Sequence, residues 1–182
     1  MFVVLDEAVV PSSCDGCGSS FTPWGYARVR AVRERDGRRL LVRPRRVRCR
    51  GCRVTHVLLP AHVAPRRADA AHVILGALLA KAGGRGHRAI AAQLCLPAGT
   101  VRGWLRRANA NAERVRAEAS RLAIHLDPLL RPLAPTASRL GDALEAVGAA
   151  VVAARLRLGT SIGTPTAMAM VIGRSLLRPL RT

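Results

Sequence analysis

The chain has 182 residues, of which 49% are hydrophobic and only 3% aromatic, and its formal net charge is +19. This apolar fraction excludes a chain that is disordered throughout, because it is large enough to form a core. No apolar run approaches the roughly 20 residues of a spanning helix, so we expect no membrane segment. The start of the chain, MFVVLDEAVV, has no basic residue and is unlike a signal peptide. We therefore expect a cytoplasmic protein.

The positive charge is concentrated in one part of the chain. Residues 26–53 contain twelve arginines and two acidic residues, a net charge of +10. Arginine neutralises phosphates, so a basic segment of this kind predicts binding to nucleic acid. The alternative explanation is a GC-rich genome, which enriches all its proteins in arginine. In that case the positive charge has no ligand. The uneven distribution favours a binding surface.

Four of the five cysteines form two C-x-x-C pairs, CDGC and CRGC. They are Cys14, Cys17, Cys49 and Cys52. In the cytoplasm such pairs indicate a metal rather than disulfides, and four thiolates predict a closed, structural Zn²⁺ site. Iron in a rubredoxin-like site is the alternative. Since a closed site has no open position for water, it argues against zinc catalysis. We expect His56 and His62 to be ordinary histidines rather than ligands.

The segment between the cysteine pairs is typical of β-structure. Residues 26–34 and 39–49 mix valine with arginine and predict two strands, joined by a hairpin at Asp36-Gly37. Residues 54–60 predict another strand. Together these elements predict a zinc ribbon over residues 1–62. We expect three arginines of this ribbon to contact the phosphates of DNA: Arg45, Arg46 and Arg48. The alternative is a hairpin whose arginines are solvated and bind no ligand.

Residues 65–126 have a helical pattern. The stretch 67–82 predicts a helix whose buried face contains Ala71, Ile74, Leu75, Leu78 and Leu79. The stretch 87–108 predicts two helices separated at Leu96-Pro97. The second has small residues and arginines on its outer face, which suits the major groove of DNA. The candidate DNA-binding residues here are Arg88, Thr100, Arg102, Arg106 and Arg107.

The spacing I-A-x-x-L-x-x-P-x-x-T-V-x-x-W in residues 87–108 resembles the helix-turn-helix of bacterial regulators and transposases. In that motif glycine usually occupies the position of Cys95, often with a positive φ that is uncommon for cysteine. We therefore expect a slightly different turn here, with Cys95 as a small buried residue. A helix-turn-helix can also be a packing or protein-interaction unit.

The order of motifs over about residues 14–110 supports a wider resemblance. CDGCG, PWGY, RPRRVRCRGCRVTHVLLP, a helix and GHRAIAAQL…TVRGWLRR follow one another. This order is similar to an actinobacterial family that combines a zinc ribbon with a helix-turn-helix, and to the N-terminal DNA-binding part of insertion-sequence transposases. The resemblance implies DNA binding and a zinc site at the four paired cysteines.

The last third of the chain predicts further helices. An apolar heptad pattern continues from Val101 to Leu126, which favours packing within the chain, with a homodimer as the alternative. Residues 127–182 form a C-terminal helical segment after a proline-rich linker. Its helices are expected at residues 138–159, with Ser138 as N-cap and Gly159 past the end, and at residues 164–177.

The sequence as a whole predicts an α+β protein without catalytic activity. None of the five acidic residues after residue 112 follows a strand pattern, and no phosphate-binding loop or nucleophile motif is present. We expect a zinc-stabilised protein that binds double-stranded DNA. The alternatives are an RNA-binding ribbon protein and a protein-interaction adaptor.

Overall fold

The structure, a computed structural model, describes residues 3–4, 8, 10–159 and 163–177. It is mixed α+β, as the sequence predicts: strands come first and helices follow. The chain divides into two compact units, Met1–Ala70 and Ala71–Thr182. Within the described ranges, no helix is long and apolar enough to cross a membrane.

The first unit consists of two small sheets. One has the strand order β1-β4-β3 and the other β2-β5-β6, and all pairs are antiparallel except β1 with β4. The strands are β1 (Val3–Val4), β2 (Phe21–Tyr26), β3 (Arg30–Arg33), β4 (Arg39–Val42), β5 (Arg45–Cys49) and β6 (Thr55–Leu58).

The predicted hairpin at Asp36-Gly37 is confirmed, but the strands around it are shorter than expected. β3 pairs with β4, and Gly37 turns the chain with a φ of 79°. The predicted strand over residues 39–49 is wrong as a single element, because it is divided at Arg43-Pro44 into β4 and β5. Proline has a fixed φ and no N–H for a ladder, so the chain leaves one sheet there and enters the other. Strand β2 was not predicted.

The second unit is helical. Its helices are α1 (Ala71–Ala82), α2 (His87–Gln93), α3 (Ala98–Leu126), α4 (Arg139–Leu158) and α5 (Thr164–Ser175). In α1, Ile74 and Leu78 are fully buried, as predicted, but Leu79 is 48% exposed and Val73 is buried instead. Since α1 contacts α2, α3, α4 and α5, neighbours cover it on several sides rather than along one stripe.

The turn between α2 and α3 is a Schellman motif. The N–H of Leu96 donates to Ala91 O at 2.9 Å, and the N–H of Cys95 donates to Ala92 O at 3.2 Å. Cys95 has a φ of 52°, so the turn takes the ordinary glycine-like conformation despite the cysteine. The expectation of a buried Cys95 is wrong: its side chain is exposed at the turn. Gly84, with a φ of 90°, holds the same position after α1.

Helices α3 and α4 pack along each other. The predicted ends of α4 are confirmed: the Ser138 side chain accepts a hydrogen bond from Gly141 N, and Gly159 is left-handed with a φ of 63°. The heptad pattern of α3 is buried as far as Ala119, but then Ala123 is buried while Leu122 is 49% exposed. A straight helix of 3.6 residues per turn drifts from a 3.5-residue repeat, which accounts for this change of face.

Candidate metal centre and nucleic-acid interface

Each C-x-x-C pair forms a tight turn of the same geometry. The N–H of Cys14 donates to Ser19 O, and that of Cys49 donates to Val54 O, both at 2.9 Å and at the same sequence separation. The residue after the second cysteine has a positive φ in both turns, 72° at Gly18 and 63° at Arg53. The two turns are thus structural repeats, one with glycine and one with arginine at the left-handed position.

Strand pairing brings the two turns together. The first turn precedes β2 and the second follows β5, and Phe21 pairs with Cys49 in the antiparallel register. The N–H of Arg50 extends this ladder by donating to Ser20 O at 3.0 Å. Because antiparallel neighbours place the start of one strand beside the end of the other, both cysteine pairs lie at the same end of the sheet.

The four sulfur atoms all lie within 4.8 Å of one another and could hold a metal ion. The Sγ atoms of Cys14 and Cys52 are 3.8 Å apart, and those of Cys17 and Cys49 are 3.3 Å apart. Four sulfurs at ~2.3 Å from one tetrahedral ion would be about 3.8 Å from each other. The donor set therefore fits a metal, and the first cysteine of each pair is buried while the second is exposed.

The exposed thiols differ in acidity. Hydrogen bonding from the Ser19 backbone, with further help from Cys49 and the Ser19 side chain, lowers the pKa of Cys17 to about 6. The backbone N–H of Val54 lowers the pKa of Cys52, but hydrogen bonding to the neighbouring thiols and burial outweigh it and raise that pKa to about 11. Metal binding requires thiolates, so the lowered pKa of Cys17 favours its ligand form.

Groups around the sulfurs restrict the site further. His56 lies beside it, with Nε2 3.9 Å from Cys14 Sγ and its ring edge-on to Phe21 at 5.1 Å. A Cβ at Gly51 would overlap Ser19 Oγ and lie 3.2 Å from Cys17 Sγ, so a larger residue at this position would press on the first cysteine turn. His62 is not part of the cysteine cluster.

The arginines predicted on the ribbon lie on two faces of the sheet. Arg48 is in register with Thr22 and Thr55, and Arg46 with Val57, on one face of β5. Arg45 lies on the opposite face, which it shares with the buried Val47 and Cys49. All three arginine side chains are half-buried. The structure therefore brings Arg46 and Arg48 together and separates Arg45 from them.

The start of α3 presents a basic, exposed side. Arg102 and Arg106 are exposed one turn apart, while Val101, Trp104 and Leu105 are buried on the other side of the helix. Thr100 is half-buried near the start of the helix. Arg107 is half-buried, and its Nη1 donates to Gly103 O at 3.3 Å, so it is folded back along α3. Arg88 is exposed on α2.

The two halves of α3 differ in how their charge is compensated. Residues 71–112 contain six basic residues and no acidic one. Further along, Arg114 pairs with Glu118 at 2.9 Å and Arg116 with Glu113 at 2.6 Å. In the part of the chain that the structure describes, Arg102 and Arg106 form no such ion pair. An anionic partner would therefore meet two exposed, uncompensated arginines one turn apart on the first half of α3, whereas Arg114 and Arg116 already pair with acidic side chains.

Sequence reasoning missed the aromatic residues of β2. Trp24 is 48% exposed and Tyr26 50% exposed, and each ring is covered by an arginine: Arg48 at 4.6 Å from Trp24 and Arg43 at 4.8 Å from Tyr26. The motif PWGY contains a turn-forming Gly25 within an otherwise strand-like segment. That combination indicates a β-bulge, which was the available clue.

Together these features define a protein that joins a β-unit, whose four clustered cysteines could hold a metal ion, to a helical unit with a tight α2–α3 turn. Residues 14–104 match the family described as a domain of unknown function (DUF6431), and the chain belongs to that family. The match begins at the first cysteine and ends at Trp104 in α3, so it includes all four clustered cysteines and the α2–α3 turn. No curated protein and no solved structure matches the chain. The relationship to insertion-sequence transposases stays a prediction.

Proposed function

We propose that the protein is a zinc-stabilised, non-catalytic DNA-binding protein. The first half of α3 would enter the major groove of double-stranded DNA, and the ribbon would contact phosphates through its arginines. The observation that carries this proposal is the uncompensated basic side of α3, because Arg102 and Arg106 project from it opposite a buried apolar face.

Zinc is the metal that this donor set favours. Thiolate ligands select zinc, copper(I) or iron–sulfur chemistry over magnesium and calcium, and a tetrahedral four-sulfur site is typical of structural zinc. With all four positions taken by protein, the ion would crosslink the two turns and hold β2 against β5. Its contribution is stability rather than catalysis.

Duplex DNA fits the α2–α3 surface better than duplex RNA. The major groove of DNA is wide enough for a helix, whereas that of A-form RNA is deep and too narrow for side chains to read. Gly99 and Gly103 keep the outer side of α3 low, and the neighbouring Arg102 has the fork of donors that matches guanine. Recognition helices read bases mainly with their first turns, where Thr100 and Arg102 lie.

The test is a pair of titrations at one salt concentration. A preferred duplex is first selected from a random pool, and its affinity is compared with that of a scrambled duplex. Arg102→Ala should weaken the selected duplex by ~1–3 kcal/mol, about fivefold to 150-fold, and the scrambled duplex far less. Arg107→Ala should weaken both duplexes alike, as a phosphate contact does.

Arg121→Ala is the matched control, because it removes the same charge from an exposed position further along α3. It should change both affinities little. Equal losses on both duplexes for Arg102→Ala would show that α3 does not read bases. If an RNA duplex of the same sequence bound as tightly as the DNA duplex or more tightly, the partner would be RNA and not DNA.

A further inference from the structure

The outer face of the sheet β2-β5-β6 carries an exposed aromatic ring among arginines. Trp24 is 48% exposed, although tryptophan is usually among the most buried residues on average. The other tryptophan of the chain, Trp104, is only 3% exposed. Neither a core role nor the cysteine cluster uses the Trp24 ring, so the ring is available to a ligand.

The backbone holds Trp24 in this position through a β-bulge. The register between β2 and β5 shifts between Pro23 and Tyr26, and Gly25 has a φ of 76° that other residues rarely adopt. The extra residue brings the Trp24 ring over Arg48, whose guanidinium carbon lies 4.6 Å from the ring centroid.

Arg48 is itself fixed from a second side. Its Nε donates to Arg53 O at 3.2 Å, within the second cysteine turn. The ring, the guanidinium and the cysteine turn are thus connected. Arg46 and Val57 form the next cross-strand pair on the same face, and Val57 is 49% exposed. The face combines one half-open aromatic ring, an apolar side chain and two guanidinium groups.

This combination suits an unpaired nucleic-acid strand more than a duplex. Aromatic side chains stack on the faces of bases, which a duplex conceals within its own stack, and arginines neutralise the backbone of a single strand. An acidic peptide would satisfy the charge of residues 26–53 but would make no use of an exposed ring.

We propose that this stacking face, formed by Trp24, Arg46, Arg48 and Val57, binds single-stranded nucleic acid with a base stacked on Trp24. The inference rests on the proposed nucleic-acid binding and adds a second substrate class on this one face of the ribbon, while duplex is taken by the α2–α3 surface and by ribbon arginines outside this face, such as Arg45. Arg48 acts as a positioning residue for the ring, and Arg46 meets the phosphates.

The experiment titrates the zinc-loaded full chain with a labelled oligothymidylate and with a blunt duplex. Trp24→Leu should weaken the oligothymidylate about tenfold, the loss expected for one stacked base, and change the duplex by less than about twofold. Trp24→Phe should recover part of the loss. Oligothymidylate should also quench the fluorescence of wild-type Trp24, and the Trp24→Phe variant should lose that quenching.

Tyr26→Leu is the control for damage to β2. Tyr26 is equally exposed and also covered by an arginine, but it pairs with Arg45, away from the stacking face. It should leave oligothymidylate binding unchanged. Equal losses in both variants, or unchanged binding by Trp24→Leu, would overturn the inference.

The outcomes separate this inference from the proposed function. Duplex binding by wild type without any oligothymidylate binding refutes the stacking face and leaves the duplex proposal intact. Trp24-dependent oligothymidylate binding without duplex binding refutes the duplex proposal and supports the stacking face. Competition by an oligoglutamate peptide as effective as that by oligothymidylate would show a surface for acidic chains and would refute the inference.

Discussion

Gly51 offers a direct test of how closely the two cysteine turns approach each other. The change is Gly51→Ala, which adds one methyl group to the second turn. Its Cβ would overlap Ser19 Oγ, lie 3.0 Å from Ser19 Cβ and 3.2 Å from Cys17 Sγ. Rotation of the Ser19 side chain relieves only the first of these contacts. The first cysteine turn must therefore move away from the second.

The expected cost follows from that displacement. Overpacking of a tight site by one methyl group costs ~1–3 kcal/mol. Since binding and folding are coupled in a small metal-binding unit, most of this cost should be seen as weaker metal binding. Zinc should bind about fivefold to 150-fold more weakly to Gly51→Ala than to wild type.

Gly16→Ala is the matched control, at the same position in the first turn. Its Cβ would lie 3.9 Å from Cys14 Sγ, an ordinary van der Waals contact. Its zinc affinity should stay within about twofold of wild type, the range usual for substitutions without a clash. Competition with a chromophoric chelator measures both affinities. Ser19→Ala in the Gly51→Ala background should recover part of the loss, and the double-mutant cycle isolates that coupling.

A result in which Gly16→Ala and Gly51→Ala bind zinc equally well would refute the reasoning. It would mean that the turns do not approach closely when the metal is bound.

Two further predictions concern stability. Cys49→Ser should abolish stoichiometric zinc binding and the β-structure of Met1–Ala70. The far-ultraviolet circular dichroism signal of the helices should remain, because the helices form a separate compact unit. Loss of the helical signal as well would contradict this prediction. Cys95→Gly should raise the free energy of unfolding by about 0.5–1 kcal/mol, since glycine adopts a positive φ without strain, whereas Gly84→Ala should lower it by about 1 kcal/mol. Chemical denaturation measures both, and a destabilised Cys95→Gly would show that the thiol contributes more than the strain costs.

Local chemistry in the sequence was sufficient for several elements. The ends of α4 follow from Ser138 and Gly159, which satisfy backbone groups within one turn of themselves. The cluster of four cysteines follows from two C-x-x-C pairs, because the spacing sets the geometry of each turn. The hairpin likewise follows from the two residues Asp36-Gly37, because Gly37 adopts the positive φ that the turn needs. In these cases the physical cause lies within a few residues of its effect.

Features that depend on distant pairing could not be predicted in the same way. Apolar residues and arginine are mixed on both sides of Pro44, so the pattern suggested one strand where two sheets meet. In α1, several neighbouring helices decide which residues are buried, and the Ala- and Leu-rich sequence has little contrast between its faces. The prediction that Leu79 is buried was wrong for that reason.

The proposed stacking face depends both on local sequence and on pairing between distant segments. An arginine in a basic strand gives no indication of whether it is solvated or fixed. Arg48 is fixed because a bulge at Gly25 brings Trp24 against it and a cysteine turn supplies the Arg53 carbonyl oxygen. The candidate metal site and the proposed stacking face therefore share one support. Loss of the metal should release the second turn, and with it Arg48, so single-strand binding should depend on zinc even though no metal ligand belongs to the stacking face.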